Sequence, residues 1–381
     1  MDLAFSPAEE QFRAECRAWL EAHVPGPTLP SGDTRAGFEA HLVWERMLFD
    51  ARYAVVSWPA QYGGRDASLW EWLLFEEEYY RAGAPQCVTQ NGIFLLAPTI
   101  FEFGTDEQKD RILPKMASGE QTWCQGWSEP NAGSDLAGIQ SRAVRDDGAG
   151  GWRLFGQKTW TTRGAFCTHL FGLFRSDPDA ERHRGLTYFL VDLASPGVTV
   201  RGVERLDGDE GFAEVFFDNV FVADADVLGT PGEGWAVAMA TTGSERGLTL
   251  RSPGRFLATA QRLIELYHSC GDEPQLRDRV VAAYIDAEAY RWQTFWTVTR
   301  IVEGARTGPE SSMVKVFWSE LDVRLHELAL DLLATHAELV DGADAAWMKG
   351  YEFALAGPIY AGTNEIQRNV IAERVLGLPR K

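Results

Sequence analysis

The chain has 381 residues, of which 45% are hydrophobic, so we expect two or three packed units rather than one compact core. Its formal net charge of −19 excludes a general nucleic-acid-binding surface. An anionic ligand would need locally placed Arg or Lys side chains against this overall charge.

Five scattered cysteines without a CxxC pair indicate reduced thiols and a cytoplasmic protein. The seven histidines show no metal-ligand spacing, so no metal is expected. The acidic start Met1-Asp2-Leu3 is not typical of a signal peptide. No apolar run reaches the ~18 residues of a membrane helix, so no membrane span is expected.

The first third is predicted to be helical. Ser6, Pro7 and Glu9 form the capping-box pattern that begins a helix. Further helices are predicted at about Leu69–Ala82 and Ile93–Lys115.

The middle third has the composition of β-structure, from about Gln121 to Gly229. Gly156-Gln157 is interpreted as the turn of a hairpin whose strands are Trp152–Phe155 and Lys158–Thr162. Asp207-Gly208 and Asp218-Asn219 are predicted turns. Other predicted strands are Leu186–Leu193, Val198–Val203 and Glu214–Val222.

A helical period returns from Trp235 onward, in lengths typical of an antiparallel bundle. We therefore predict an α+β fold of three domains: an N-terminal helical domain (1–120), a middle β-barrel-like domain (121–230) and a C-terminal helical bundle (231–381). The long helical segments are predicted at Val237–His268, Gln275–Glu303, Ser311–Glu338 and Asn364–Leu376.

Residues 126–135, Gly-Trp-Ser-Glu-Pro-Asn-Ala-Gly-Ser-Asp, form a polar loop suited to contact a ligand with its backbone. Pro130 and Asn131 indicate a turn, and Gly133 leaves room for a flat or phosphorylated group. Ser128 and Ser134 supply hydrogen-bond donors. We name residues 126–135 the signature loop.

The signature loop and the run Gly362–Arg368 together resemble the two landmarks of the flavin-dependent acyl-CoA dehydrogenases. The resemblance extends over essentially the whole chain. It implies an FAD cofactor, an acyl-CoA substrate, removal of the α proton by a base and transfer of the β hydride to flavin N5. It also implies that an electron-transfer flavoprotein or a similar carrier accepts the electrons.

Most members of this family carry the base in a Tyr-Glu-Gly-Thr sequence, where this chain has Ala361. In some branches the base is a Glu directly before an Arg on a C-terminal helix, which makes Glu245 the candidate here. By the same match Arg246 lies near the substrate. A solvated helical carboxylate for Glu245 and a structural ion pair for Arg246 are the alternatives. The backbone N–H of Ala361 can still serve as an oxyanion donor.

The run Lys158–Thr162 resembles the family segment that faces the flavin. The match places Trp160 on the isoalloxazine ring and Thr162 at N5, and the alternative is an ordinary hairpin with a core Trp. Thr363 and Glu365 match the family's FAD pyrophosphate and adenosine site, with a plain helix N-cap as the alternative for Thr363. The complete cofactor set implied by the resemblance is Gln125, Trp127, Ser128, Gly133, Ser134, Trp160, Thr161, Thr162, Gly362, Thr363 and Glu365, and Ser134 also contacts substrate.

Homomeric members usually carry a Gln-x-x-Gly-Gly-x-Gly run that reaches FAD across the dimer interface. Residues 336–344 read His-Ala-Glu-Leu-Val-Asp-Gly-Ala-Asp and lack it. The chain is therefore similar to subunits of actinobacterial heterotetrameric members, including those acting on steroid side chains. A homo-oligomer that binds FAD through other residues remains the alternative.

Two other functions stay open at this point. One is a flavin monooxygenase on the same fold, against which Glu245 counts. The other is a non-catalytic subunit that completes the FAD site of a related chain.

Overall fold

The computed structural model describes the backbone of residues 4–26, 28–246, 252–271, 274–305, 308–342 and 344–380, and for residues 244–246 the backbone alone. The α-helices described are α1 (Pro7–His23), α2 (Arg35–Asp50), α3 (Leu69–Arg81), α4 (Ala97–Phe103), α5 (Asp106–Ala117), α6 (Gly234–Arg246), α7 (Pro253–Ser269), α8 (Pro274–Val302), α9 (Ser311–Leu333), α10 (Ala345–Ala354) and α11 (Asn364–Val370). The strands described are β1 (Trp123–Gly126), β2 (Arg142–Asp146), β3 (Gly151–Lys158), β4 (His169–Arg175), β5 (Leu186–Asp192), β6 (Val198–Val203), β7 (Phe212–Ala223) and β8 (Val227–Leu228).

The order of elements along the chain is helical, then β, then helical, which confirms the predicted fold class. Contacts divide the chain into two compact units. We call the first the helical unit; it contains Met1–Gly26, Ala67–Ala84 and Arg246–Lys381. We call the second the sheet unit; it contains Pro27–Asp66 and Pro85–Glu245. Among the described residues, none of the helices has the length and apolar character needed to cross a membrane.

The capping box at the start of α1 is confirmed. The Ser6 hydroxyl accepts from the Glu9 N–H at 3.3 Å, and the Glu9 carboxylate accepts from the Ser6 N–H at 2.7 Å. This exchange satisfies two of the backbone donors that a helix start leaves unpaired.

The helix predicted at Ile93–Lys115 is interrupted. A π-helical segment, Asn91–Leu96, leads into α4, which ends at Phe103 with Gly104 as its C-cap. Thr105 then caps a new helix, α5, through the Gln108 N–H. The Thr105–Gln108 pattern is a second capping box, so the sequence carried the signal for this break.

The eight strands described form one sheet in the order β6-β7-β3-β2-β4-β5-β8, and β1 pairs in parallel with β4. The pairs β2–β3, β3–β7, β4–β5 and β6–β7 are antiparallel. The core of the sheet unit is formed by residues that alternate along these strands, including Leu154, Leu170, Phe174, Phe189, Val215 and Val220.

The predicted hairpin around Gly156-Gln157 is wrong. β3 runs without a turn from Gly151 to Lys158, and the register with β7 shifts between Leu154 and Gly156. Gly156 has a φ of +133°, and a Cβ there would lie 2.3 Å from the Ser141 hydroxyl oxygen. This glycine therefore permits a β-bulge against a neighbouring residue rather than a chain reversal.

One of the two other predicted turns is confirmed. Gly208 has a φ of +80° and its N–H bonds to the Arg205 carbonyl at 3.0 Å. Asp218-Asn219 instead lies within the continuous strand β7, where Asn219 has a φ of +57°. Asn tolerates the left-handed region, so the same residue type marks a strand irregularity as readily as a turn.

The segment predicted at Val237–His268 contains two helices. α6 is described from Gly234 to Arg246, and α7 begins at Pro253, with the Ser252 hydroxyl accepting from the Gly254 N–H. α8 and α9 begin as predicted, but α9 ends at Leu333 and a 3₁₀ segment follows to Glu338.

In the helical unit, α7, α8 and α9 pack against one another, and α10 and α11 also pack on α9.

The buried carboxylate of Glu78 ties α1 to α3 within the helical unit. It accepts from Arg13 Nε at 2.7 Å, from Arg17 Nε at 2.9 Å and from Arg81 Nε at 2.7 Å. Burial alone would raise the pKa of Glu78, but the hydrogen bonds from these three guanidinium groups outweigh it and lower the pKa to about 2. The carboxylate is thus charged at every pH at which the protein is expected to function.

Replacing Glu78 with Gln should lower the free energy of unfolding at pH 7 by about 3 kcal/mol, because it removes the buried anion that the guanidinium groups of Arg13, Arg17 and Arg81 share. The folded pKa lies below the unfolded value of 4.5, so this contribution is fully present above about pH 4.5 and shrinks as the pH falls toward 2. Thermal unfolding of wild type and E78Q at pH 7 and pH 3 measures both effects.

Glu21→Gln provides the matched control, because Glu21 pairs with Arg81 at 3.1 Å on the exposed side of the same network. We expect it to change stability by less than about 1 kcal/mol. If wild type and E78Q differ in their free energy of unfolding by the same amount at pH 7 and at pH 3, Glu78 is not the titrating group.

Candidate active site

The signature loop begins where β1 ends and is shaped by a tight turn. Glu129 and Ala132 exchange two backbone hydrogen bonds of 2.9 and 3.0 Å, with Pro130 in the second turn position, where its fixed φ is favoured. Gly133 and Ser134 follow the turn and are exposed. A Cβ on Gly133 would meet no atom within 4 Å, so nothing in the described chain itself requires glycine there.

A buried ion pair connects the signature loop to the end of β3. Lys158 Nζ lies 2.7 Å from Glu129 Oε1 and 3.4 Å from the Trp127 carbonyl oxygen. The Glu129 carboxylate also accepts from the backbone N–H groups of Gln140 at 2.6 Å and Ser141 at 2.9 Å. Three donors thereby engage both oxygens of this carboxylate.

The charges of this pair follow from its surroundings. Burial lowers the pKa of Lys158 to about 8, against the opposing pull of Glu129. Burial would raise the pKa of Glu129, but the Lys158 ammonium and the two backbone donors hold it below its usual value. Both groups are therefore predominantly charged at neutral pH, and sequence reasoning had assigned no role to either. The signal was present: Lys158 is the one charged residue of the run Lys158–Thr162, and the signature loop carries a carboxylate at Glu129.

The chain leaves β3 in a turn, not in the predicted second strand. The Thr159 N–H bonds to the Ser128 carbonyl at 2.9 Å, and the Thr161 N–H bonds to the Ala213 carbonyl at 3.0 Å. Trp160 stands between these two bonds with a φ of +56° and a side chain that is 61% exposed. A left-handed backbone and an exposed indole are each uncommon for Trp, so the turn displays a flat ring to the outside.

Thr161 and Thr162 face different surroundings. Thr161 is buried, and its hydroxyl oxygen has no hydrogen-bond partner among the described residues. Thr162 is half-buried, and within the described chain neither its hydroxyl nor its N–H has a partner. The open polar atoms of Thr162, two residues along the chain from the exposed indole of Trp160, fit the isoalloxazine end of FAD.

The remaining predicted residues of the sheet unit lie nearby along the chain. Gln125 is half-buried in β1, and Ser128 is half-buried with its carbonyl engaged by Thr159. Trp127 is only 7% exposed, and its ring meets Tyr188 edge-on at 6.3 Å between centroids. Its ring nitrogen Nε1 is also buried and has no hydrogen-bond partner among the described residues.

A buried chain of hydroxyl groups anchors α6, the helix that carries Glu245. Thr241 Oγ1 lies 2.9 Å from Thr99 Oγ1 and 3.4 Å from the Tyr188 hydroxyl. The start of α6 also packs tightly on the sheet, because a Cβ on Gly234 would lie 2.8 Å from the backbone of β5. The backbone of Glu245 lies one helical turn beyond Thr241. The side chains of Glu245 and Arg246 lie outside the described residues, so their predicted roles stay predictions.

In the helical unit, the turn before α11 has two consecutive left-handed residues. Ala361 has a φ of +57° and Gly362 a φ of +79°. Their carbonyl oxygens both accept from the side-chain amide of Gln367, at 2.9 and 3.2 Å. The N–H of Ala361 has no acceptor within the described chain, which leaves it available as a donor.

The start of α11 is capped by the chain's own side chains. The Thr363 hydroxyl accepts from the Ile366 N–H at 3.3 Å. The Glu365 backbone N–H and the Thr363 hydroxyl bond to the Glu365 carboxylate and lower its pKa. Buried Lys315 braces the turn from α9 by donating to Asn364 Oδ1 at 2.8 Å. The predicted pyrophosphate role of Gly362, Thr363 and Glu365 stays a prediction.

Three family models together match most of the chain. They describe the N-terminal domain (residues 6–120), the middle domain (124–220) and the C-terminal domain (232–376) of acyl-CoA dehydrogenases. A curated relative, acyl-CoA dehydrogenase IpdE1 of Mycolicibacterium smegmatis, is 39% identical over 390 residues, which cover 98% of each chain.

Solved structures share the fold over the full length. The structure described as Tcur3481-Tcur3483 steroid ACAD has a TM-score of 0.89 and 24% identity and covers 100% of both chains. The ChsE4-ChsE5 complex from Mycobacterium tuberculosis has a TM-score of 0.83 and 26% identity, again over 100% of both chains. With three matching domain models and a 39% identical relative over nearly its whole length, this chain belongs to the acyl-CoA dehydrogenase family.

Proposed function

We propose that the chain catalyses the FAD-dependent α,β-dehydrogenation of an acyl-CoA thioester. The observation that carries this proposal is the turn after β3, which displays Trp160 and leaves the polar atoms of Thr162 open. When bound, FAD would supply the acceptor for the β hydride. Trp160 and Thr162 would hold the isoalloxazine ring, Trp160 through its indole and Thr162 through a group that can both donate to and accept from N5.

Glu245 is the proposed base for the α proton. Ala361 cannot accept a proton, and Glu245 lies on α6, the helix that the hydroxyl chain of Thr99, Thr241 and Tyr188 holds on the sheet. A base on a rigid helix can be positioned reproducibly against a substrate carbon. The free N–H of Ala361 is the proposed donor to the thioester oxygen as enolate character develops.

The acyl group and the electron acceptor are further parts of the proposal. One solved relative is described as a steroid ACAD, so a steroid side-chain thioester belongs in any substrate panel together with short, branched and aromatic esters. The proposed acceptor is an electron-transfer flavoprotein. Anaerobic titration with the panel identifies the substrate class by bleaching of the flavin band. Flavin that stays oxidised with every ester would contradict the proposed dehydrogenation.

Glu245→Gln should retain the fold and the flavin but reduce flavin bleaching by substrate about 10²–10⁴-fold, the usual contribution of a general base. Stopped-flow absorbance under anaerobic conditions measures the rate. Glu233→Gln, an exposed carboxylate just before α6, is the control and should reduce its flavin at the wild-type rate. Equal rates for E245Q and wild type would remove Glu245 from the mechanism.

Thr162→Val should shift the flavin absorption band and slow reduction by the equivalent of about 1–3 kcal/mol, because one hydrogen bond to the cofactor is lost. Thr199→Val, on the exposed face of β6, removes a hydroxyl of the same kind elsewhere in the sheet. A wild-type spectrum together with a wild-type rate in T162V would show that Thr162 does not face N5.

The chain should not hold a full complement of FAD as a homo-oligomer. Residues 336–344 lack the glycine-rich run and carry Glu338, Asp341 and Asp344, which would repel phosphate groups. We therefore propose a related partner chain and two flavins per four chains. Co-purification with a related chain and measurement of the ratio of flavin to protein test this. One tightly bound FAD per chain in a homo-oligomer would overturn the heteromer proposal and leave the dehydrogenation proposal intact.

A further inference from the structure

Arg163 ends the turn that carries Trp160, Thr161 and Thr162, and its backbone is strained. Its φ is +54°, so two of the four residues from Trp160 to Arg163 are non-glycine residues in the left-handed region. This conformation is unfavourable for a residue other than glycine and persists only when the surroundings hold the residue in place. The turn is therefore shaped by contacts outside itself.

The side chain of Arg163 supplies one of those contacts, and it is buried. Arg163 Nε donates to Asp33 Oδ1 at 2.7 Å, and the two side chains are 6% and 10% exposed. The Arg163 backbone N–H donates to the Gly211 carbonyl at 3.0 Å. Asp33 precedes α2 and is 130 residues away in sequence, so this bond connects the turn to a distant part of the sheet unit.

Asp33 is itself held from its other side. Arg205 Nη1 donates to Asp33 Oδ2 at 2.5 Å, while Arg205 Nη2 donates to Asp207 at 2.6 Å. Burial would raise the pKa of Asp33, but the two guanidinium groups hold it below its usual value. Asp33 thus stays charged and uses both carboxylate oxygens, which leaves Arg163 little freedom to rotate.

The turn is consequently fixed at both ends by buried ion pairs. Lys158 and Glu129 hold its beginning, and Arg163 and Asp33 hold its end, with Trp160 and Thr162 between them. One pair would fix the position of the turn but not its rotation about that point, whereas two pairs fix both. Neither the sequence motifs nor the family resemblance indicates the second pair, Arg163 with Asp33.

We propose that Asp33 and Arg163 form a positioning pair that sets the orientation of Trp160 and Thr162 toward the flavin, a role that rests on the proposed function. Neither residue touches the reacting atoms. Their effect is transmitted through the backbone of the turn, one residue from Thr162.

Asp33→Asn and Arg163→Lys test the proposal in the flavin-loaded protein, purified with its partner chain if FAD requires one. We expect a shifted flavin absorption band and flavin reduction slowed about tenfold, the equivalent of one misplaced hydrogen bond, with an unchanged KM for the acyl-CoA. Arg163→Lys keeps the buried charge, so it reports on geometry even if Asp33→Asn does not fold. A crystal structure of either variant should show Thr162 displaced.

Asp146→Asn is the matched control, because Asp146 forms a 2.8 Å ion pair with Arg153 in the same sheet. It should leave both spectrum and rate unchanged. A folded Asp33→Asn or Arg163→Lys variant with a wild-type spectrum, rate and Thr162 position would overturn the positioning role. If no acyl-CoA reduces the wild-type flavin, the proposed dehydrogenation fails, while the spectrum and the crystal structure still decide the role of Asp33.

Discussion

The candidate site depends first on one buried ion pair, Lys158 with Glu129. Net stability does not explain such a pair, because replacing a buried ion pair by apolar residues is often neutral or favourable. Its effect here is geometric. Glu129 collects the Lys158 ammonium and two backbone N–H groups, and Lys158 also reaches the Trp127 carbonyl and lies 4.8 Å from the centre of the Phe174 ring. The signature loop and the end of β3 are thereby held in one position relative to each other.

Because these two segments are fixed, the strained turn from Trp160 to Arg163 can persist. Trp160 and Arg163 occupy backbone conformations that an unconstrained chain would leave. With Lys158 fixed on one side and Arg163 on the other, the strain is compensated by buried polar contacts, and the exposed indole keeps one orientation. A flat cofactor would then meet a preorganised surface, which would lower the entropic cost of binding and of aligning the reacting groups.

Features that depend on neighbours in sequence could be predicted, and features that depend on distant residues could not. The capping box of Ser6 and Glu9 is local chemistry and was found. The predicted turn at Gly156 is wrong because the close neighbour of Gly156 is Ser141, the residue before the adjacent strand β2, and a glycine before a polar residue has the same appearance in a bulge and in a turn. The link between Asp33 and Arg163 spans 130 residues and has no sequence signature at all.

The turn at Ala361 shows that a backbone conformation can be held without a carboxylate side chain at that position. A left-handed backbone is easier for glycine than for alanine, yet Ala361 adopts it because Gln367 holds the carbonyl oxygens of both Ala361 and Gly362. Lys315 and Asn364 brace the same turn from within the helical unit. The backbone donor therefore does not depend on the residue type at position 361. An acid–base role at position 361 does require a carboxylate side chain. Because Ala361 has none, the proposed base is Glu245 on another helix, α6.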